Sequence, residues 1–311
     1  MAKTRKAANS PLFMTKTPGG MMSVVNASIF PGNIFYVDSG ETVDGADTAG
    51  FGTHPDAPFL TIDFAVGQCT ADQGDVIFVL PGHAETVSEA AGLALDVAGI
   101  EIIGVGSGAA QPTVTFDTAD TADMDVDAAN ITVDNIHFIA GFADIVAAID
   151  VNADDFTLRR CRFTESSTDL NALIWVQDAA DGGSDRITIE DCQGLGLLDA
   201  LNTHFVNFAG TGTGHRVRRN VLAGDWGTMC IGGEGVITYC EISDNYIMNE
   251  ASDNDACINV AATATGVIVN NLCGGAAAQA NGIATGDCLA AENYYGVHTE
   301  DLSAILEPVA T

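Results

Sequence analysis

After Lys16 this chain contains no lysine, and seven arginines are all that offset its 42 acidic residues, a balance of −35 against −31 for the whole sequence. A body so poor in cations repels nucleic acid and anionic membrane surfaces, so neither is expected as a partner. Long apolar runs are missing too. None approaches the ~20 residues needed to cross a bilayer as a helix, and no apolar h-region follows the basic N-terminus MAKTRKAANSPLF, which is therefore not read as a secretory signal. Aromatic residues make up 7% of the chain and charged residues 17%, whereas glycine occurs 34 times; this suits many short strands joined by tight turns. The eight cysteines form no CxxC pair and have no zinc-ligand spacing. With no export signal they are expected to be reduced thiols made in a cytoplasm and packed as small apolar residues.

What is present is a repeat. NITVDNIHF (130–138) returns as DFTLRRCRF (155–163), RITIEDCQG (186–194), HRVRRNVL (215–222), YCEISDNYI (239–247) and GVIVNNLCG (266–274). Aligning the last polar position gives a column of Asn135, Cys161, Cys192, Asn220, Asn245 and Asn271, with steps of 26, 31, 28, 25 and 26 residues. One short strand per unit at this period marks a solenoid, whose stacked coils share an interior that no single coil could bury. The residue before that column runs Asp134, Arg160, Asp191, Arg219, Asp244, Asn270, and the position before that includes Arg159, Glu190 and Arg218. Stacked coils would set opposite charges above one another, a ladder in which each facing pair contributes roughly 0.2–1 kcal/mol.

Four regions are expected. Residues 1–32 are punctuated by Pro11, Pro18, Gly19, Gly20, Pro31 and Gly32 and carry Lys3, Arg5, Lys6 and Lys16 before the first acid, Asp38; they read as an extended basic arm that binds a partner. Residues 33–74 read as a cap: a strand at Ile34–Val37, an Asp/Gly-rich loop, and a short helix opened by Thr61 with Ile62, Ala65, Val66 and Cys69 on one face. Residues 75–295 are the solenoid, of about eight or nine layers, with Thr118–Asp127, Thr164–Asn171 and Asp178–Asp185 as candidate loops. Residues 296–311 are a C-terminal cap, with TEDLSAIL (Thr299–Leu306) as one or two helical turns.

The cap carries a family resemblance. Tyr36–Asp38, Pro58-Phe59, Thr61-Ile62, Ala65-Val66, Gly74–Ile77, Pro81-Gly82 and Glu85 resemble the N-terminal capping region of right-handed parallel β-helix proteins of the pectate-lyase-like superfamily, and IIGVG (102–106) and the Asn column fit its coils. A basic arm ahead of such a cap is similar to tailed-phage virion proteins. The fold class this implies is all-β: a right-handed single-stranded parallel β-helix with a short N-terminal capping helix and an extended arm. The scaffold serves lyases, hydrolases, adhesins and inert structural parts alike.

Chemistry on such a scaffold has few candidates here. A lyase reading needs Ca²⁺-binding carboxylates beside a basic residue; Asp154-Asp155 near Arg159/Arg160 is the tempting cluster, but the ladder already occupies those arginines. A hydrolase reading needs paired acids, for which Asp253 and Asp255 could be pressed into service, without the G-H-G motif of polygalacturonases. The acidic run Asp117–Asp127 lacks the glycine and closing Glu of a calcium loop, and the six histidines show no metal-ligand spacing. The expectation is therefore no catalytic residue, metal or cofactor: a non-enzymatic virion component made in the host cytoplasm. It would be a capsid decoration or cement protein, a homotrimer tethered to the major capsid protein or another virion protein by its arm. The alternative is a tail or baseplate spike that binds or cleaves host polysaccharide.

Overall fold

The computed structural model describes residues 32–297, apart from 42, 168, 179–183, 196–201, 251–254 and 276–281, together with 15–16 and 22–23. It is a parallel β-solenoid of about eight turns. Three sheets run its length: ten strands from Ile34–Val37 to Leu289–Ala291 (first sheet), nine from Ala84–Val87 to Tyr294–Val297 (second) and eight from Leu93–Leu95 to Ile283–Ala284 (third). Each full turn therefore contributes three strands, where the repeat alone had pointed to one. The expected loop at Thr118–Asp127 contains one of them, Met124–Val126 on the third sheet. The expected helix at Thr299–Leu306 lies outside the described residues.

The strands alternate inward and outward side chains, and the inward ones stack in register. On the first sheet the inward column is Ile77, Ile102, Val133, Leu158, Ile189, Val217, Ile242 and Ile268. On the second it includes Val114, Phe138 and Phe163; the Phe138 and Phe163 rings stack with centroids 5.3 Å apart, and Phe116, level with Ala140 in the next inward column, stacks diagonally on Phe138 at 6.0 Å. Six of the cysteines are buried within this interior and Cys69 and Cys288 are half-buried; all eight are free thiols.

The repeat owes its shape to the corner between the first and second sheets. One residue there, on seven successive rungs, is left-handed: Asn135, Arg160, Asp191, Arg219, Asp244, Asn270 and Glu292, with φ between 53° and 58°. That conformation turns the chain in a single residue. Asn and Asp tolerate it best, whereas Arg at this angle is uncommon. The next residue points into the core, giving the column Ile136, Cys161, Cys192, Asn220, Asn245, Asn271 and Asn293.

The helix α1 (Ile62–Val66) closes the N-terminal end. Thr61 Oγ1 accepts from Phe64 N at 3.3 Å, and Ile62, Ala65 and Val66 are buried beneath it. Carboxylates tie it down from three sides. Glu85 Oε2 accepts from Ile62 N at 2.9 Å and pairs with the buried His83 ring at 3.1 Å. Asp63 Oδ1 accepts from Ala94 N (3.1 Å), satisfying an amide of the terminal strand of the third sheet. Asp75, fully buried, accepts from Asn33 N and Thr70 N. The matches at Thr61, Asp75 and Glu85 are thus hydrogen bonds that shield an otherwise open sheet end.

Candidate functional site

The three sheets present three chemically different faces. Ion pairs occupy the first. Arg159 Nε donates to the buried Asp134 at 2.9 Å and its Nη2 to Glu101 at 2.5 Å; Arg160 also pairs with Asp134. Two rungs on, Arg218 Nε and Arg219 Nη2 both reach Glu190 Oε2 at 2.8 Å, and Arg219 holds Asp191 through two bonds of 2.9 Å. Hydrogen bonds from Arg219 keep the Asp191 carboxyl below its ordinary range; burial would raise Glu190, but Arg218 and Arg219 outweigh it. Asp244 is exposed at the same corner.

The register differs from the sequence alignment by one residue at the first copy. Asp134 lies level with Arg159, not Arg160. Asn135 therefore belongs to the left-handed column and not to the inward one, where Ile136 stands. Its side-chain amide donates to Gly104 O (2.7 Å) and Gly106 O (3.0 Å). Both registers put a polar residue at the turn, so the sequence did not separate them. From Asn220 onward the inward column is a buried amide ladder: each side-chain oxygen accepts from the main-chain N–H of the rung before, through Asn220, Asn245, Asn271 and Asn293.

The candidates for chemistry fall differently from the expectation. Asp154 and Asp155 do not face Arg159 and Arg160; Arg186 takes both, at 3.1 and 2.6 Å. Asp253 lies outside the described residues, so the Asp253/Asp255 pairing has no geometry. Lys3, Arg5 and Lys6 also lie outside them, and Lys16 stands in a two-residue strand, Thr15–Lys16, paired antiparallel with Met22–Ser23. Among the described residues no group of three or more His, Cys, Asp or Glu side chains is arranged to hold a metal ion.

The third face was not anticipated. Its outward column reads Asp125, Asp150, Gln177, Asn207, Gly232 and Asn259, level on successive rungs. Asp125 and Asp150 sit directly opposite each other on adjacent parallel strands, about 4.8 Å apart at the backbone. Asp123 and Asp127 flank them. Burial, then the charges of Asp127 and Asp150, push the Asp125 carboxyl up, against a 2.6 Å bond from Asn152 Nδ2. Burial and Asp123 push Asp150 up, opposed by a bond with Gln177. Asp150 Oδ1 is buried and has no hydrogen-bond partner. A signal was legible: Met-Asp-Val (124–126) and Ile-Asp-Val (149–151), one acid between two core residues, recur 25 positions apart.

No protein-family model matches the chain, and no curated protein matches it. Among solved structures it is similar to a rhamnogalacturonan lyase, at 12% identity over 89% of this chain and 65% of that one (TM-score 0.44). It is similar also to a GH136 lacto-N-biosidase from Eubacterium ramulus, at 10% identity over 86% of this chain and 68% of that one (TM-score 0.38). The chain thus spans less than two thirds of the lyase's length. At these identities the likeness is one of fold. The expectation of a non-enzymatic virion component is corrected to this extent: both of these structures are of enzymes and neither is of a virion protein, and a likeness of fold carries no activity over to this chain.

Proposed function

We propose that the protein recognises a polysaccharide along its third-sheet face and cleaves it with Asp125 and Asp150. The observation that carries this reading is the level pair of carboxyl groups, one of them with a buried, unpartnered oxygen, at the head of an amide-bearing column. Carboxylates and amides are the groups that hydrogen-bond sugar hydroxyls. Successive rungs offer them at a spacing comparable with one sugar unit.

The two environments divide the roles. Asp150, with its orphan oxygen and with burial and the charge of Asp123 against ionisation, holds its proton more tightly than an ordinary aspartate and serves as general acid. Asp125 receives a hydrogen bond from Asn152, which favours its ionised form, and serves as nucleophile or base.

The test is incubation with a panel of neutral and acidic polysaccharides, reading new reducing ends and retardation in affinity gels. Wild-type protein should release ends from at least one polymer, and Asp150→Asn should lower the rate by about 10²–10⁴-fold while still retarding in the gel. Neither release nor retardation across the panel would end the reading.

A second reading concerns location. Four of the eleven cations fall in the first 16 residues of an otherwise acidic chain. This supports the proposal that the leader tethers the solenoid to an acidic surface, such as that of a virion, through avidity. Removing residues 1–20 should abolish attachment to particles and leave glycan binding intact; undiminished attachment would refute the tether.

A further inference from the structure

The second sheet's outward face is the third chemical surface, and it carries no carboxylate. Its two outward columns are Ala84, Thr113, His137, Arg162, Gln193, Val221, Tyr246, Leu272, Tyr294 and Thr86, Thr115, Ile139, Thr164, Leu195, Ala223, Met248, Gly274, Gly296. In a chain with 42 acids that absence is selective. Over the last four rungs it becomes wholly apolar. Val221, Tyr246, Leu272 and Tyr294 form a level ridge, 43%, 43%, 50% and 45% exposed. Glu292 lies beside it at the left-handed corner, as does the exposed Asp244, and Glu250 is exposed just past the Tyr246–Asn249 strand. An apolar centre with a charged rim is the anatomy of a protein interface.

We infer that this face is where copies of the chain associate side by side along its nine rungs, with the Val221–Tyr294 ridge as the apolar part of the contact. Charge selects the occupant. Two molecules of net charge −31 repel wherever their acidic surfaces meet, and this is the face on which both lack carboxylates. A basic partner would find its complement elsewhere, on the third sheet or the acidic loops. A twofold axis parallel to the solenoid keeps each rung level with its own copy, so the ridge meets itself in an isologous contact. The area suffices: nine rungs about 4.8 Å apart, with strands of about four residues at about 3.3 Å each, give roughly 500 Å² per copy. Two copies bury about 1,000 Å², the lower bound for a specific interface.

Light scattering coupled to size exclusion, on the full chain at micromolar concentration, tests this. The wild type should elute with a mass of two or more chains. Tyr246→Glu and Leu272→Glu, both on exposed positions and checked for an unchanged circular dichroism spectrum, should weaken self-association by about tenfold or more. Leu289→Glu, on the first sheet and 74% exposed, should leave the mass unchanged. A wild-type monomer throughout would overturn the proposal, as would an oligomer indifferent to both ridge substitutions. If instead the wild type is monomeric and Tyr246→Glu abolishes retardation by polysaccharide, the ridge is a sugar platform and the self-association assignment falls.

Discussion

Replacing Asn245 by alanine cuts the amide ladder in its middle. Asn245 Oδ1 accepts from the main-chain N–H and the side-chain amide of Asn220, each at 3.0 Å; its Nδ2 donates to Val217 O and Asn271 Oδ1, each at 2.9 Å. The residue is 1% exposed, so water cannot replace these partners. The substitution leaves two N–H donors of Asn220 buried without acceptors, at about 1–3 kcal/mol each, and opens a small void besides. We expect a loss of about 3–5 kcal/mol, large for a single substitution. Asn245→Cys should cost about half as much, because Cys161 and Cys192 already occupy this column and a thiol fills most of the space. Asn207→Ala, the same chemical change on the outward side of the third sheet, should stay within about 0.5 kcal/mol. Urea unfolding followed by far-ultraviolet circular dichroism measures all three, provided the dependence on urea is unchanged. A loss below about 1 kcal/mol for Asn245→Ala, or equal losses for Asn245→Ala and Asn207→Ala, would refute the claim that the inward amides hold the corner together.

Three further outcomes follow from named contacts. Asp150→Asn removes a carboxyl that can ionise opposite Asp125 on the adjacent strand; at a pH where both are ionised it should stabilise the fold by about 0.2–1 kcal/mol, and destabilisation in urea there would contradict it. Arg219→Asp should cost about 1 kcal/mol, its own side chain and that of Asp191 being about half exposed, and adding Asp191→Arg should recover part of that; a cycle with no coupling would show that the pair is incidental. His215, buried against Phe208, accepts from Ile187 N, and burial pulls its pKa down to about 4, as it does for His137 and His204. The unfolded chain then binds more protons between pH 4 and 6.5. The neutral ring's contribution is complete above about 6.5 and is lost as pH falls towards 4, on the order of 3 kcal/mol for His215. His215→Gln should flatten the fall in stability across that window by about a third, and an unaltered slope would contradict the assignment.

The solenoid and its cap were legible because their signals are local. Ile34–Val37 alternates cleanly, Thr61 stands one residue before an apolar face, and the Asn column recurs because every corner needs one inward residue after the turn. The second and third strands of each coil were not legible as such. Thr113–Phe116 and Ile149–Val151 each place only two residues in the core, and loops of unequal length separate them, so no period accumulates. The same brevity concealed the third-sheet carboxylates. Asp125 alone reads as part of an acidic loop, and only the stacking of rungs sets it against Asp150. Asp154 and Asp155 misled in the opposite direction: near Arg159 and Arg160 in sequence, they belong to Arg186 of the next coil.

Everything proposed for the third sheet turns on the proton of Asp150. Carbon-13 titration of the aspartate carboxyl groups, assigned by the loss of one resonance in Asp150→Asn, tests it directly. The account predicts that Asp150 and Asp125 titrate in a coupled manner above the ordinary aspartate range, with Asp150 the last to lose its proton. Titration of both at an ordinary value, independently of each other, would contradict it.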